Sequence, residues 1–135
     1  MSNAQLSYTR DQLMALSRIV IEHAAKQGAT AADTEISEGV GQSVSVRQGE
    51  IETIEYNKDK GAGVTVYIGQ RRGHASTSDL SEAALKSAVE KALTIARYTA
   101  EDEAAGLPDA DRLAKDVPDL DLYHPWALTV EEAAE

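Results

Sequence analysis

The chain contains no cysteine, no phenylalanine, one tryptophan and three prolines in 135 residues. Without cysteine there is no disulfide framework and no thiolate metal site, which fits a reducing compartment. With aromatics at 4%, the core must be built from Leu, Ile, Val and Ala. No apolar run approaches the length of a membrane span, and the N-terminus lacks the charged-then-apolar pattern of a secretory leader. The chain therefore reads as cytoplasmic, with no membrane partner. A positive surplus is also missing. Lys and Arg number 13 against 23 Asp and Glu, a formal charge of −10. Phosphate backbones are held by basic faces, so direct nucleic-acid binding is disfavoured.

The negative charge is unevenly placed. Residues 1–100 carry 11 basic and 12 acidic side chains, a balance of −1, whereas residues 101–135 carry 2 and 11, a balance of −9. This contrast divides the chain into a near-neutral globular unit over 1–100 and an acidic extension over 101–135. The length suffices for one domain with a real core.

Within the first unit the apolar period changes twice. Leu13, Leu16, Val20 and Ala24 fall at helical spacing and predict a first helix over about Thr9 to Gln27. Thr9 and Gln12 form a capping-box pattern, and Gly28 is placed to end the helix in a left-handed conformation. Residues 32–78 are rich in β-branched residues and punctuated by Gly. Val44 and Val46 alternate with polar neighbours, as do Val64, Val66 and Ile68, which predicts half-buried antiparallel strands. Gln48–Gly49 is a tight hairpin candidate. Ile51 and Ile54 are three apart, and a β-bulge would let both face the core. Gly61–Ala62–Gly63 reads as a turn or bulge, Gly69 to Gly73 as a turn, and His74 to Thr77 as a return strand. Short loops between strands favour an antiparallel meander.

Helical spacing returns with Leu85, Ala88, Val89, Ala92, Leu93 and Ala96 behind an N-cap at Ser81. The expected fold is α+β: two helices packed on one face of an antiparallel sheet, in the order helix, about five strands, helix. From residue 100 the pattern degrades. Gly106, Pro108, Pro118 and Pro125 break any long element, and Asp109–Lys115 could form a short helix. Thr129 and Glu132 repeat the capping-box pattern only about one turn before Glu135. An isolated helix nucleus is unfavourable, so the sequence reads as cut at the start of a further element.

Motifs for chemistry are sparse. None of His23, His74 and His124 begins an H-E-x-x-H box or has a carboxylate at chelating helical spacing. Glu22–His23 reads as a solvated helix edge, and Asp119, Asp121 and His124 as polar punctuation in a Pro-bounded loop. Gly61–Ala62–Gly63 is too short for a nucleotide loop and precedes a strand. Ser76, Thr77 and Ser78 supply hydroxyls with no identifiable base. The candidate surface residues are Glu50, Glu52, Arg71 and Arg72. Glu50 and Glu52 either line a cavity or partner surface, or discourage sheet-edge pairing. Arg71 and Arg72 are the one local basic spot, able to grip an acidic partner or simply to be solvated. No catalytic, cofactor-binding or metal-ligating residue is assigned.

One resemblance covers essentially the whole chain. The runs VRQGEIETIEYNKDKGAGVTVYIGQRRGHASTSDLS and ALTIARYTAEDEAAGLPD, followed by DLDLYHPW, resemble the N-terminal domain of the PmbA/TldD proteins, also called modulators of DNA gyrase. DLDLYHP after IARYT favours the PmbA, or TldE, branch. The resemblance implies a subunit of an intracellular zinc-dependent metallopeptidase complex acting on peptides and unfolded proteins. It implies a TldD-like partner that carries the zinc in an H-E-x-x-x-H box, or a homo-oligomer, around an enclosed cavity. The family's zinc ligands fall outside these residues, so the chain would be structural and cavity-forming, inactive alone and without a cofactor of its own. The alternative is a non-catalytic peptide-binding or assembly module that uses an exposed sheet edge or face.

Overall fold

The computed structural model describes residues 6–135. Its elements run α1 (Arg10–Lys26), β1 (Ala31–Arg47), β2 (Glu50–Ile68), β3 (Arg71–Thr77), α2 (Glu82–Tyr98) and α3 (Val130–Ala134). The sheet is an antiparallel meander in the order β1-β2-β3. The α+β expectation holds, with both long helices on one sheet face.

Local chemistry sets the helix ends. The Thr9 hydroxyl accepts from Gln12 N at 3.2 Å, while Thr9 N donates to Gln12 Oε1 at 2.8 Å. This reciprocal pairing satisfies two of the amides a helix start leaves open. Gly28 follows α1 at φ +95°, where a side chain would be strained. Ser81 caps α2 by accepting from Ala84 N at 3.3 Å. All six residues of the expected α2 stripe are buried, as are Val20 and Ala24 of α1. They meet Ala62, Val64 and Val66 of β2, with Leu13, Leu16, Ala32 and Ile36 packed around them.

Gly73 explains how closely α2 approaches. A methyl group there would collide with the Ala92 carbonyl and lie 2.6 Å from the Ala96 amide nitrogen. The helix backbone therefore lies directly on β3.

The strand number differs from expectation: the described residues form three strands, not about five. The segments around Ile54 and Val64 are one 19-residue strand, and β1 extends over 17 residues. Asn57, Lys58, Asp59, Lys60, Gly61 and Gly63 look like a break in the sequence. Instead they run extended, because β1 pairs with each of them, from Gly41↔Asn57 to Glu35↔Gly63. Cross-strand partners thus override the weak strand propensity of this run. Gly61–Ala62–Gly63 is accordingly neither turn nor bulge, and the turn after β2 is only Gly69–Gln70.

The expected hairpin and bulge are both present. Gln48 and Gly49 have φ of 55° and 83°, as in the left-handed two-residue turn that matches strand twist. The register shifts so that Val46 faces Ile51 and Ser45 faces Thr53, leaving Glu52 as the extra residue. Val44, Val46, Ile51 and Ile54 thereby share one side.

β3 pairs only with Ala62–Ile68. The rest of β1 and β2, about 35 Å at ordinary strand rise, projects as a two-stranded arm. Asp109–Lys115 is not a helix but holds a turn over 110–112, with Arg112 N donating to Asp109 O at 2.9 Å. A short segment with no surface to pack on does not sustain a helix. The Thr129–Glu132 capping box forms, with hydrogen bonds of 2.9 and 3.2 Å, and α3 lies against β1. No helix among the described residues is long and apolar enough to cross a membrane.

Candidate functional site

The sheet face turned away from the helices is polar. Pairing places Asp33, Thr65 and His74 in one cross-strand row and Glu35, Gly63 and Ser76 in the next. The Thr65 hydroxyl and His74 Nδ1 are 3.1 Å apart. A Cβ on Gly63 would sit 3.5 Å from His74 Cε1, so the imidazole leans over that glycine. Beyond the end of β3 an open cleft of about 640 Å³ is floored by Gly61 and Gly63 and walled by Glu35, Ser37, Lys60 and Ser76. Glycines on a strand let another backbone come close. Chemically the face offers hydroxyls, carboxylates and one imidazole for hydrogen bonding, since the register turns Lys60 to the helix-facing side.

Glu50, Glu52, Arg71 and Arg72 are not brought together. The acidic pair stands at the arm tip, and the basic pair faces Tyr67 and Ile68 at the far end of β2, about 60 Å away at ordinary strand rise. Glu50 pairs with Arg47 across the hairpin, and Arg47 Nη1 reaches Glu52 Oε1 at 3.2 Å. Arg71 Nη1 donates to Arg97 O at 3.0 Å, and its Nε is 3.6 Å from Glu101. Arg71 thus ties the end of α2 to the chain that follows. Asp102 N adds a bond to Gln70 O at 3.0 Å. Arg72 lines a cleft of about 380 Å³ with Tyr67, His74 and Asp102.

The arm carries a different surface. Val44, Val46, Ile51, Ile54 and Tyr56 continue the helix-facing side of the sheet beyond the helices. Ile51 and Ile54 are 43% and 45% exposed and Tyr56 is 67% exposed. At the arm's root stands Glu38, its side chain 1% exposed. It accepts from Ser7 N at 2.8 Å and Tyr8 N at 3.0 Å, with Lys58 Nζ 3.7 Å away. Burial pushes its carboxyl up. The Ser7 and Tyr8 amides, the Ser7 side chain and Lys58 outweigh that and hold it below its ordinary value. Lys60 also lies over the Tyr8 ring, 5.8 Å from its centroid. Sequence reasoning missed Glu38, although a charge between Ile36 and Val40 in the apolar phase of a strand was the available signal. The Asp33–Thr65–His74 row had no such signal, because it depends on register.

The histidines lie apart. His23 Nε2 reaches Glu90 Oε1 on α2 at 3.3 Å, with the imidazole 14% exposed. It is therefore a bridge between helices, not a solvated edge: α2 packs beside α1 and covers it. His74 pairs with Thr65, and His124 with Asp121 O at 2.6 Å. No group of three or more His, Cys, Asp or Glu among the described residues could hold a metal ion.

Residues 32–96 match the family model described as PmbA/TldA metallopeptidase domain 1. The "Metalloprotease PmbA homolog" of Haemophilus influenzae is 46% identical over 134 residues, spanning 99% of this chain and 30% of that protein. The chain belongs to the PmbA/TldD family. "Metalloprotease PmbA" of Escherichia coli O157:H7 is 48% identical over 104 residues, 77% of this chain and 23% of that protein. The chain thus spans less than a third of the length of these relatives. Among solved structures, a Bacteroides thetaiotaomicron protein described as a candidate modulator of DNA gyrase superposes with a TM-score of 0.72 at 26% identity, over 82% of this chain and 25% of that one. TldE from Thermococcus kodakarensis superposes at 0.65 and 18% identity, over 82% of this chain and 25% of its own. The latter supports the fold alone. Together they place the chain with PmbA/TldE-like N-terminal domains.

Proposed function

We propose that the chain is the non-catalytic first domain of a PmbA/TldE-type subunit in a cytoplasmic zinc-dependent metallopeptidase assembly that degrades peptides and unfolded proteins. A TldD-like subunit would hold the zinc, whose chemistry would be Lewis-acid activation of a peptide carbonyl and of water. The dispersed histidines do not fit that metal, so this chain's part is to shape and line the cavity. The polar sheet face, with its glycine floor, is the surface offered to an extended substrate backbone. Glu50, Glu52, Arg71 and Arg72 are partner or cavity contacts in this reading, and residues 101–135 lead from the domain at 1–100 toward the rest of the subunit. The observation that carries the reading is the near-complete, 46%-identical match to a relative more than three times as long. The test is peptide hydrolysis by the chain alone, by a TldD-like subunit alone, and by a full-length subunit pair. Chelator-sensitive cleavage requiring the TldD-like subunit is expected. Zinc-dependent cleavage by the 135-residue chain would overturn the reading.

A second reading, a peptide-binding module needing no catalytic partner, draws on the outer edge of β3. A largely apolar cleft of about 560 Å³ runs between it and α2, lined by Ala75, Lys91, Thr94 and Ile95. Strand addition to such an edge is a recurring mode of peptide recognition. Saturable binding of extended peptides by the chain alone, without a TldD-like protein, would favour this reading.

A further inference from the structure

The same two strands that build the core continue as an arm whose apolar side, among the described residues, is left exposed at the tip. A two-stranded ribbon is marginal in water without a layer to pack on. Val46, Ile51, Ile54 and Tyr56 are each more than 40% exposed, and alternation with the bulge places them together with Val44 on the helix-facing side. Gln42 lies on the same side, opposite Tyr56. Its amide nitrogen Nε2 is buried and has no hydrogen-bond partner among the described residues.

We propose that this side of the arm is the docking surface for the polypeptide that follows this domain within its own subunit. The inference rests on the reading of the chain as the first domain of a longer subunit. Three observations select that occupant over a second copy or a partner subunit. The exposed apolar side chains amount to a few hundred Å², short of the roughly 800 Å² per side of a stable interface between free proteins. A tethered segment needs far less area, because its effective concentration is high. The chain itself already comes back to this strand: after the exposed stretch 107–127, Leu128, Val130, Ala133 and Ala134 are half-buried and α3 lies against β1. Finally, about 70% of the Haemophilus influenzae relative lies outside the matched region, since the chain covers 30% of it.

The absence of native cysteine gives a direct probe. Ile54→Cys and, separately, Tyr56→Cys are placed in the 135-residue chain and in the full-length subunit, with any cysteines outside this domain replaced. Glu55→Cys, on the opposite side of the ribbon, is the control. Maleimide labelling is followed at two protein concentrations. The Ile54→Cys and Tyr56→Cys variants should label about tenfold or more slowly in the full-length subunit than in the short chain, independently of concentration, while the Glu55→Cys variant labels alike in both. Tyr56→Cys removes the most exposed side chain and keeps the test open if Ile54→Cys disturbs the arm. Equal labelling of the Ile54→Cys and Tyr56→Cys variants in both chains would overturn the proposal. So would protection that appears only at high concentration or only on adding a TldD-like subunit, which would assign the surface to a second copy or a partner. Protection without peptidase activity would leave this inference standing and remove only the functional reading.

Discussion

β1 and β2 cross two environments. At one end Val64 and Val66 are fully buried under the helices; at the other, Ile51 and Ile54 are 43% and 45% exposed. The register keeps all four on the same side of the sheet. What differs is the layer above. Over the core half, β3 widens the sheet and α1 and α2 cover it. Along the arm the sheet narrows to two strands, because β3 pairs only as far as Ala62. Alternation therefore states which side of a strand is apolar, and not whether anything covers it.

Two glycines separate the halves most strongly. Gly73→Ala should be the most damaging small substitution, because the methyl group would collide with the α2 backbone at Ala92 and Ala96. Forcing a helix off a sheet without room to repack should cost about 3 kcal/mol or more. Gly39→Ala, in the arm with nothing within 4 Å of the added carbon, should stay within about 0.5 kcal/mol. Urea unfolding midpoints of the two variants measure the gap. Similar losses would mean that the arm is as tightly built as the core.

A smaller gap is expected from side-chain truncation. Leu85 is fully buried in the central cluster, and Leu85→Ala should cost about 2–5 kcal/mol by lost burial plus a cavity. Ile54→Ala should cost under about 1 kcal/mol in this chain, since nearly half of the side chain already meets water. In a full-length subunit the Ile54 loss should rise toward core values if a segment docks on the arm. An unchanged Ile54 cost there would mean that nothing docks on this part of the arm.

The same division describes what the sequence disclosed. Both helices, their caps, the six-residue α2 stripe, the Gln48–Gly49 hairpin and the nearby bulge follow from spacing and turn chemistry within a few residues. These signals are local. The length of β2 was hidden because Asn57–Gly61 has the composition of a loop, and only pairing with Ser37–Gly41 makes it strand. The Thr65–His74 contact and the separation of Glu50 and Glu52 from Arg71 and Arg72 were hidden for the same reason: register and strand length decide them. His23 looked solvated because its neighbour, α2, lies 67 residues away from it in sequence at Glu90.

Glu38 marks the boundary between the two halves, and its titration offers the most delicate test. Its carboxylate takes the Ser7 and Tyr8 amides and sits beside Lys58, joining the entry of α1 to the root of the arm. Its folded pKa lies below the ordinary 4.5. A group whose pKa is lowered by folding contributes stability that is complete above the unfolded value and is lost as pH falls through the folded value. The arm root should therefore loosen on acidification below about pH 4.5, before the apolar core responds. Amide exchange across Val40–Val46 should accelerate over that window, while amides of α2 around Val89 stay protected. Glu38→Gln should remove most of this pH dependence and leave the arm amides exchanging faster at neutral pH. If the variant keeps the wild-type acid profile, other carboxylates hold the arm, and the boundary between core and arm lies elsewhere along β1.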